Sequence, residues 1–316
     1  MNNTAFQSPT IITAGSTYLD IDAYACCVAM AELLQLQGKN AIAYSKAACN
    51  YSICSSLVEE GQILKVLPDD VNQNANYIIV DVSDPNYIKD TVPLERVVAI
   101  YDHHVGFEDY WTNRLGERAH IEFIGAAATL IYREWKTGGL LDRMSQSTAR
   151  LLIAAILDNT LNLSSSNTTA EDRQAFQELC QRACVDDVWC AAYFAEVQAG
   201  VEADLKNAVF NDLKIIRDNE LLPTKVAQLC VWDTNRILAM LPEIRQWFVG
   251  DSESWMLNII DIQHRYSCFV CEDVVYQKKL ETVFGTAFQK GVARLPVSYL
   301  RKEIIKKTRS YLKDKG

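Results

Sequence analysis

Several features that mark other classes of protein are scarce or missing in this sequence of 316 residues. No apolar run reaches the roughly 18 residues of a membrane-spanning helix, so we expect no membrane association. The first sixteen residues have no basic segment before an apolar stretch, so we expect no secretory signal and a cytoplasmic protein. The net charge is −9, with 31 basic and 40 acidic side chains. This balance argues against stable nucleic-acid binding, which depends on the neutralisation of phosphates.

Cysteine occurs ten times but without the spacing of a zinc site. Cys268 and Cys271 form a C-x-x-C pair inside an alternating apolar run that favours a strand, while Cys180 and Cys184 have helical spacing. A structural zinc site takes four ligands, and no second C-x-x-C pair is present to complete them. We therefore expect reduced cysteines, as is usual in the cytosol.

Histidine is rarer still, with four in the whole chain. Two of them, His103 and His104, are neighbours and follow Asp102 at the end of the apolar run 97–101. An Asp-His-His sequence after a strand is, taken alone, compatible with a polar turn. The rest of the sequence decides whether it is a functional site.

The first half of the sequence alternates strand and helix patterns, and Thr169 and Asp172 have the spacing of a helix N-cap. Apolar runs typical of buried parallel strands lie at 10–16, 40–45, 77–83 and 97–104. After about residue 185, a helical stretch at 191–216 leads into further strand patterns. We therefore expect an α/β protein with two domains. Residues 1–188 would form a doubly wound, mainly parallel sheet, and residues 189–316 a smaller α/β domain with a mixed sheet.

Residues with metal-binding chemistry follow several of these elements. They are Asp20 and Asp22 after the first strand, Asp81 after the third, Asp102 to His104 after the fourth, and Asp158 near the end of a long apolar helix. Ligands of an open parallel sheet bind beyond the carboxyl ends of its strands, so we expect these side chains to converge. A crowd of carboxylates needs a compensating positive charge, and oxygen and imidazole ligands suit Mn²⁺ or Mg²⁺.

The order of these motifs resembles the DHH phosphoesterase superfamily. The second half is similar to the C-terminal (DHHA2-like) domain of manganese-dependent, family II inorganic pyrophosphatases, which Prune-type and yeast-type exopolyphosphatases share. The segments that carry this likeness are "TKVAQLCVWD", "NIIDIQHRYSCFVCED" and "LPVSYLRKEIIKKTRSYL". The resemblance implies a metal-binding catalytic domain at 1–188, a phosphate-binding domain at 189–316, and an active site in the cleft between them. It also implies two ions of Mn²⁺, Mg²⁺ or Co²⁺.

Roles for single residues follow from the same resemblance. The metal ligands would be Asp20, Asp22, Asp81, His103 and Asp158, with Asp81 bridging the two ions. His104 would face the substrate phosphate, and Asp102 would orient a neighbouring imidazole. Arg301 and Lys302 would bind phosphate together with Lys214, since arginine suits bidentate phosphate contacts and lysine acts as a point charge.

The sequence departs from the pyrophosphatase pattern at three places. A histidine stands four residues before the first Asp of the D-x-D motif in those enzymes, and this chain has Ser16 there. The fourth motif aligns Asn159 with the ligand position, yet we expect the neighbouring Asp158 to be the ligand, because only a carboxylate neutralises a cation. Glu303 replaces the second lysine of the C-terminal motif, which predicts a less cationic phosphate pocket.

We therefore expect a metal-dependent hydrolase of phosphoanhydrides that activates water with two ions. Prune-type and yeast-type exopolyphosphatases also lack the histidine at the Ser16 position, so release of phosphate from inorganic polyphosphate is the first hypothesis. An inorganic pyrophosphatase is the alternative. A phosphodiesterase of short oligonucleotides or cyclic dinucleotides, and a catalytically weak regulatory protein, remain open. The expected partner is a small phosphorylated substrate, and the protein would be a monomer or a homodimer.

Overall fold

The computed structural model describes residues 8–15, 18–58, 63–68, 71, 74–250 and 252–313. The chain divides into two compact units, residues 1–193 and residues 194–316. The division falls within the helix Asp187–Ala203, close to the boundary predicted after residue 188. The predicted α/β fold with a parallel and a mixed sheet is confirmed.

The strands follow one another along the chain as β1 to β12. They are Thr10–Thr13, Tyr18–Leu19, Ala41–Ala43, Ala48–Cys49, Asn76–Val80, Val97–Asp102, Ala119–Ile121, Lys214–Ile215, Lys225–Val231, Trp255–Asp261, Tyr266–Cys271 and Val292–Leu295.

The α-helices, numbered α1 to α13, are Ile21–Leu36, Ser55–Val58, Pro85–Ile88, Glu108–Leu115, Ala127–Thr137, Gln146–Asn159, Ala170–Ala183, Asp187–Ala203, Leu205–Asn211, Thr234–Ala239, Leu241–Gln246, Val274–Phe284 and Arg301–Lys313. Short 3₁₀ turns lie at Leu94–Arg96, Gly116–Arg118 and Leu141–Arg143.

The sheet of the first unit has the order β3-β1-β5-β6-β7, and all of its neighbouring strands are parallel. Its central strands consist mainly of β-branched and aromatic residues that are buried. Parallel pairing brings the carboxyl ends of β1, β5 and β6 to one edge of the sheet. The residues that follow these strands therefore lie at a common edge.

Helix α1 is buried over most of its length because its sequence is rich in alanine and cysteine. It packs against α5, α6 and the sheet. Asp20 caps its first turn, and its side chain accepts a hydrogen bond from the amide of Ala23. This position at the start of a buried helix places Asp22 inside the unit.

The sheet of the second unit has the order β12-β11-β10-β9-β8. Strands β9 and β10 are parallel and the other pairs are antiparallel, so this sheet is mixed. The predicted helical stretch 191–216 is wrong at its end: helix α9 ends at Asn211, and Lys214–Ile215 forms an edge strand. Antiparallel pairing with β9 overrides the local helical pattern there.

Two further predictions concern single elements. Thr169 caps α7 in a complete capping box with Asp172. The paired cysteines Cys268 and Cys271 lie buried in β11 as free thiols. Among the helices of the described residues, none is both long enough and apolar enough to cross a membrane.

Candidate metal centre

Asp81 follows β5 directly and has an unusual backbone conformation. Its φ of 57° lies in the left-handed region, which an aspartate adopts less often than a glycine. The side chain is 6 % exposed, and its Oδ1 atom has no hydrogen-bond partner among the described residues. Burial raises the pKa of Asp81 well above its ordinary value, and the nearby charges of Asp22 and Asp20 raise it further. A buried carboxylate with an unsatisfied oxygen is suited to binding a cation.

His103 presents one ring nitrogen to this carboxylate. Its Nδ1 lies 3.2 Å from the carbonyl oxygen of Ile124. A carbonyl only accepts, so we assign the proton to Nδ1, which leaves a lone pair on Nε2. Nε2 lies 3.4 Å from Asp81 Oδ1 and 3.9 Å from Asp22 Oδ2. This is the tautomer and orientation of a histidine that ligates a metal.

Asp22 is fully buried in α1 and accepts hydrogen bonds from four donors, one of which is the thiol of Cys26 at 3.5 Å from Oδ1. Its Oδ2 accepts from the amide of Ala127 at 2.8 Å and from Asn159 Nδ2 at 2.9 Å, and its Oδ1 accepts from the amide of Ala128 at 2.8 Å. These amides open α5, whose N-cap residue Ala126 has no side-chain cap, so Asp22 satisfies them instead. Burial raises the pKa of Asp22 to about 6.

Asp102 and His104 form a hydrogen-bonded pair. The buried Asp102 Oδ1 accepts from the backbone amide of His104 at 3.1 Å and lies 2.9 Å from its Nδ1. Burial lowers the pKa of His104, but the hydrogen bond to Asp102 and the charges of Asp81 and Asp102 together outweigh it, and the net shift is upward. The His104 side chain is 65 % exposed, so its imidazole is both oriented and accessible.

The structure brings some predicted ligands close together and leaves others further out. Asp81, His103 and His104 offer ligand atoms that all lie within 4.8 Å of one another. Asp22 lies beside this group, because its Oδ2 is 3.9 Å from Nε2 of His103. Asp20 caps α1, and Asp158 accepts a hydrogen bond from the hydroxyl of Tyr193 at 3.3 Å. Burial, and next the charge of Asp20, raise the pKa of Asp158 to about 7. Ser16 lies outside the described residues.

Variants of Asp158 and its neighbour Asn159 test which of the two side chains contributes to metal binding. Asn159 donates to Asp22, so Asn159→Asp replaces a donor by a like charge and is expected to destabilise the protein by about 1–3 kcal/mol. Asp158→Asn removes a buried carboxyl, and it is expected to stabilise the metal-free protein and to weaken Mn²⁺ binding about tenfold. Urea unfolding and titration calorimetry measure the two effects. Equal Mn²⁺ affinity in Asp158→Asn and the wild type would remove Asp158 from the ligand set.

A segment that the sequence did not identify supports the predicted ligands. Residues 124–128 supply the carbonyl that holds His103 and the amides that hold Asp22. The fully buried Asp172 fixes this segment, because it accepts from the amide of Gly125 at 2.9 Å and from Thr129 Oγ1 at 2.6 Å. The sequence predicted Asp172 only as part of a helix cap. Its second role depends on a hydrogen bond to a main-chain amide 47 residues away in the sequence, and no local sequence pattern predicts such a bond.

The predicted phosphate-binding residues lie in the second unit. Arg301 opens α13, and its guanidinium makes a bidentate ion pair with Asp212 at 2.7 and 2.9 Å. Lys302 and Lys214 are exposed. Glu303 accepts from the amide of Leu300 at 2.7 Å, so this carboxylate caps the helix.

No family model matches the sequence. Curated relatives include a Bacillus mycoides protein assigned as a manganese-dependent inorganic pyrophosphatase, which is 26% identical over 288 residues, or 88% of this chain and 86% of the relative. A Listeria monocytogenes protein with the same assignment is 26% identical over 71% of this chain and 72% of its own. Manganese-dependent inorganic pyrophosphatases are homologues of this chain.

Comparison with solved structures shows that this chain is also similar in fold to proteins of this kind. A Methanococcus jannaschii protein assigned to the family II inorganic pyrophosphatases superposes with a TM-score of 0.65 and 16% identity, over 96% of this chain and 99% of the other. An exopolyphosphatase-related protein from Bacteroides fragilis gives a TM-score of 0.54 and 12% identity, over 97% and 92%. The resemblance predicted from the motifs is thereby confirmed in sequence and in fold.

The buried carboxylates predict how the stability of the metal-free protein depends on pH. A carboxyl whose pKa is higher in the folded than in the unfolded chain binds more protons when folded, so stability falls as pH rises through that interval. The ordinary pKa of these carboxyls is 3.8 and rises to about 6 for Asp22 and about 7 for Asp158 in the folded protein, so the fall lies between about pH 4 and pH 7. Urea unfolding in the presence of a chelator is expected to give a decreasing free energy of unfolding over this range.

Saturating Mn²⁺ is expected to remove most of this slope and to add about 3 kcal/mol at one hundred times its Kd. A free energy of unfolding that rises from pH 4 to pH 7 without metal would contradict the assignment of buried carboxyls with raised pKa values to this centre.

Proposed function

We propose that this chain is a metal-dependent hydrolase of phosphoanhydrides that releases phosphate from inorganic polyphosphate. The observation that carries the proposal is the buried, unpartnered Oδ1 of Asp81 beside the lone pair of His103. Two electron-rich atoms 3.4 Å apart repel one another unless a cation or a proton lies between them. The homology to manganese-dependent pyrophosphatases supports a metal in this place.

The donor set fits a divalent cation with a preference for oxygen and imidazole ligands. Asp81 and His103 would hold it, together with Asp22, Asp20 and Asp158 as the further carboxylates for two ions. When bound, such ions neutralise the carboxylates, lower the pKa of a coordinated water and offset the charge of phosphate. The first unit is thus the metal-binding unit of the proposed enzyme.

His104 would supply the proton that the leaving phosphate requires. Asp102 accepts the hydrogen bond from its Nδ1, so Nε2 is the atom left for the substrate. The raised pKa keeps a larger share of this imidazole protonated near neutral pH than an isolated histidine would have. A protonated Nε2 donates to the oxygen of the leaving group, which stabilises the charge that develops there.

The second unit would bind the phosphates of the substrate through Arg301, Lys302 and Lys214. Asp212 and Glu303 reduce the net positive charge around these groups, since Asp212 occupies both terminal nitrogens of Arg301. A pocket with fewer net cations favours a substrate whose charge is spread along a chain over compact pyrophosphate. Ser16, in place of a histidine, supports the same preference for polyphosphate.

The proposal is tested by phosphate release from pyrophosphate, tripolyphosphate and long-chain polyphosphate, each with Mn²⁺, Mg²⁺ or Co²⁺. We expect the highest kcat/KM with tripolyphosphate or longer chains and no release in the presence of a chelator. A folded protein that releases no phosphate with any metal would contradict the hydrolase proposal. Faster cleavage of pyrophosphate than of every polyphosphate would agree with the hydrolase proposal but would identify pyrophosphate as the substrate.

Inorganic pyrophosphatase is the second candidate, because the curated relatives over 88% of the chain carry that assignment. Ser16→His adds the imidazole that the resemblance assigns to this position in pyrophosphatases. The variant is expected to bind Mn²⁺ about tenfold more tightly and to shift the ratio of kcat/KM toward pyrophosphate. An unchanged ratio would show that Ser16 does not set the substrate preference.

A further inference from the structure

A second arrangement of buried and exposed polar groups lies in the second unit, at the turn between β10 and β11. Asp261, the last residue of β10, is fully buried and accepts four hydrogen bonds. Thr234 donates to Oδ2 from its amide at 3.0 Å and its hydroxyl at 3.1 Å, and the amide of His264 donates to Oδ1 at 2.7 Å. His264 Nδ1 lies 3.0 Å from the same Oδ1.

These hydrogen bonds determine the ionisation of the Asp261 carboxyl, and they fix the orientation of the His264 ring and the position of its proton. Burial alone would raise the pKa of Asp261, but its hydrogen bonds lower it below the ordinary value. An ionised carboxylate only accepts, so Nδ1 of His264 carries a proton and the ring cannot turn without losing this bond. The imidazole is 54 % exposed. Its Nε2 makes no hydrogen bond to any residue that the structure describes.

Arg294 lies on the neighbouring strand β12 and is held by an aromatic ring. Its guanidinium carbon is 3.6 Å from the centroid of Tyr266, whose ring is buried and whose hydroxyl contacts Thr234 Oγ1. This is the geometry of a cation–π interaction. Arg294 is exposed and forms no ion pair with a carboxylate of the described residues. Its charge is therefore positioned but not neutralised.

These groups line one cavity of about 380 Å³, with Leu295 and Pro296 as its remaining walls. None of the five lining residues carries a carboxylate. The nearby Asp261 turns both of its oxygens to donors of the protein. The cavity is larger than the roughly 30 Å³ that one water occupies in the liquid, and it can hold a small anion with several waters.

We propose that His264, Tyr266 and Arg294 form a binding site for a tetrahedral oxyanion of the phosphate class. The guanidinium offers two parallel N–H donors to two oxygens of such an ion. Nε2 of His264 adds a third donor when it carries a proton, while the contact of Nδ1 with Asp261 holds the ring in place. The phenol of Tyr266 forms the floor beneath the guanidinium. The site shares no residue with the metal centre or with Arg301, Lys302 and Lys214.

The test follows the imidazole signals of the four histidines by NMR in the full chain, with His264→Gln used to assign His264. Inorganic phosphate and tripolyphosphate are titrated separately to about 20 mM, where a site with a millimolar Kd is close to saturation. Chloride at equal ionic strength is the reference. We expect a saturable shift of the His264 signals with both phosphates. If either titration gives no saturable shift of the His264 signals, the proposal is overturned.

Charge-matched variants separate a built site from general surface attraction. Arg294→Gln is expected to raise the Kd about tenfold, because it removes a charge-assisted pair of hydrogen bonds. Lys278→Gln removes an equally exposed positive charge on α12 and is expected to leave the Kd unchanged. Equal weakening by both variants would overturn the proposal. If Arg294→Gln does not fold, Arg294→Lys provides the test, with the charge kept and the paired donors lost. The measurement involves no turnover, so its outcome is independent of the proposed hydrolase activity.

Discussion

Asp81→Asn is expected to reduce metal-dependent phosphate release at least about 100-fold, since even partners outside the ligand shell of a metal are worth 10- to 100-fold. The substitution keeps the size of the side chain. It replaces a carboxylate whose Oδ1 faces His103 and has no hydrogen-bond partner in the described part of the chain. The same change removes a negative charge from a buried position near Asp22. We therefore also expect the metal-free variant to be more stable than the wild type near pH 8, where burial opposes ionisation of Asp81.

Opposite effects on activity and on stability distinguish this prediction from a simple folding defect. Asp109→Asn is the control, because it removes an equal charge from an exposed position on α4 of the same unit. It is expected to leave both phosphate release and the unfolding midpoint close to those of the wild type. If Asp81→Asn retains activity within about twofold of the wild type, Asp81 is not the central ligand.

Gly125→Ala is expected to lower the free energy of unfolding by about 3 kcal/mol and to weaken Mn²⁺ binding as well. A Cβ at this position would lie 2.5 Å from Asp172 Oδ2 and 2.6 Å from Thr160 Cγ2, and both neighbours are buried. The main chain must then move away from Asp172. Because the amides of Ala127 and Ala128 follow two and three residues later, this movement also displaces the donors that hold Asp22.

Urea unfolding measures the first effect, and titration with Mn²⁺ measures the second. Gly15→Ala is the matched control for stability, since the nearest neighbour of its new Cβ would be the carbonyl oxygen of Tyr87 at 3.8 Å, an ordinary contact distance. We expect that variant to unfold within about 1 kcal/mol of the wild type. Wild-type stability of Gly125→Ala would mean that the 124–128 segment tolerates displacement and does not fix the centre.

The core strands could be predicted from sequence because their apolar, β-branched runs are buried on both faces. Their ends could not: the run 10–16 was predicted as a strand, whereas β1 ends at Thr13. Strand Tyr18–Leu19 pairs with Ala48–Cys49 over only two residues each, which is too short for any periodicity. The edge strand Lys214–Ile215 was missed because its conformation depends on pairing with β9 rather than on its own residues.

The candidate site was predictable to the extent that strand order determines which residues meet. Asp81 and His103 follow adjacent parallel strands, and the structure places Oδ1 of Asp81 3.4 Å from Nε2 of His103. The contacts of Asp158 and Asn159 were not predictable, because neighbouring positions on a helix point about 100° apart and the sequence does not fix the rotation of the helix. The pairing of Arg301 with Asp212 depends on the path of the loop after α9, which no motif encodes.

The main-chain contacts of residues 124–128 have a consequence for comparisons between distant relatives. The carbonyl of Ile124 and the amides of Ala127 and Ala128 are groups that every residue provides, or every residue except proline in the case of an amide. Substitutions that keep the volume of these three buried side chains can therefore accumulate without altering the groups that orient His103 and Asp22. A chain can thus diverge to low sequence identity here and keep the same orientation of both side chains, provided that Gly125 is retained.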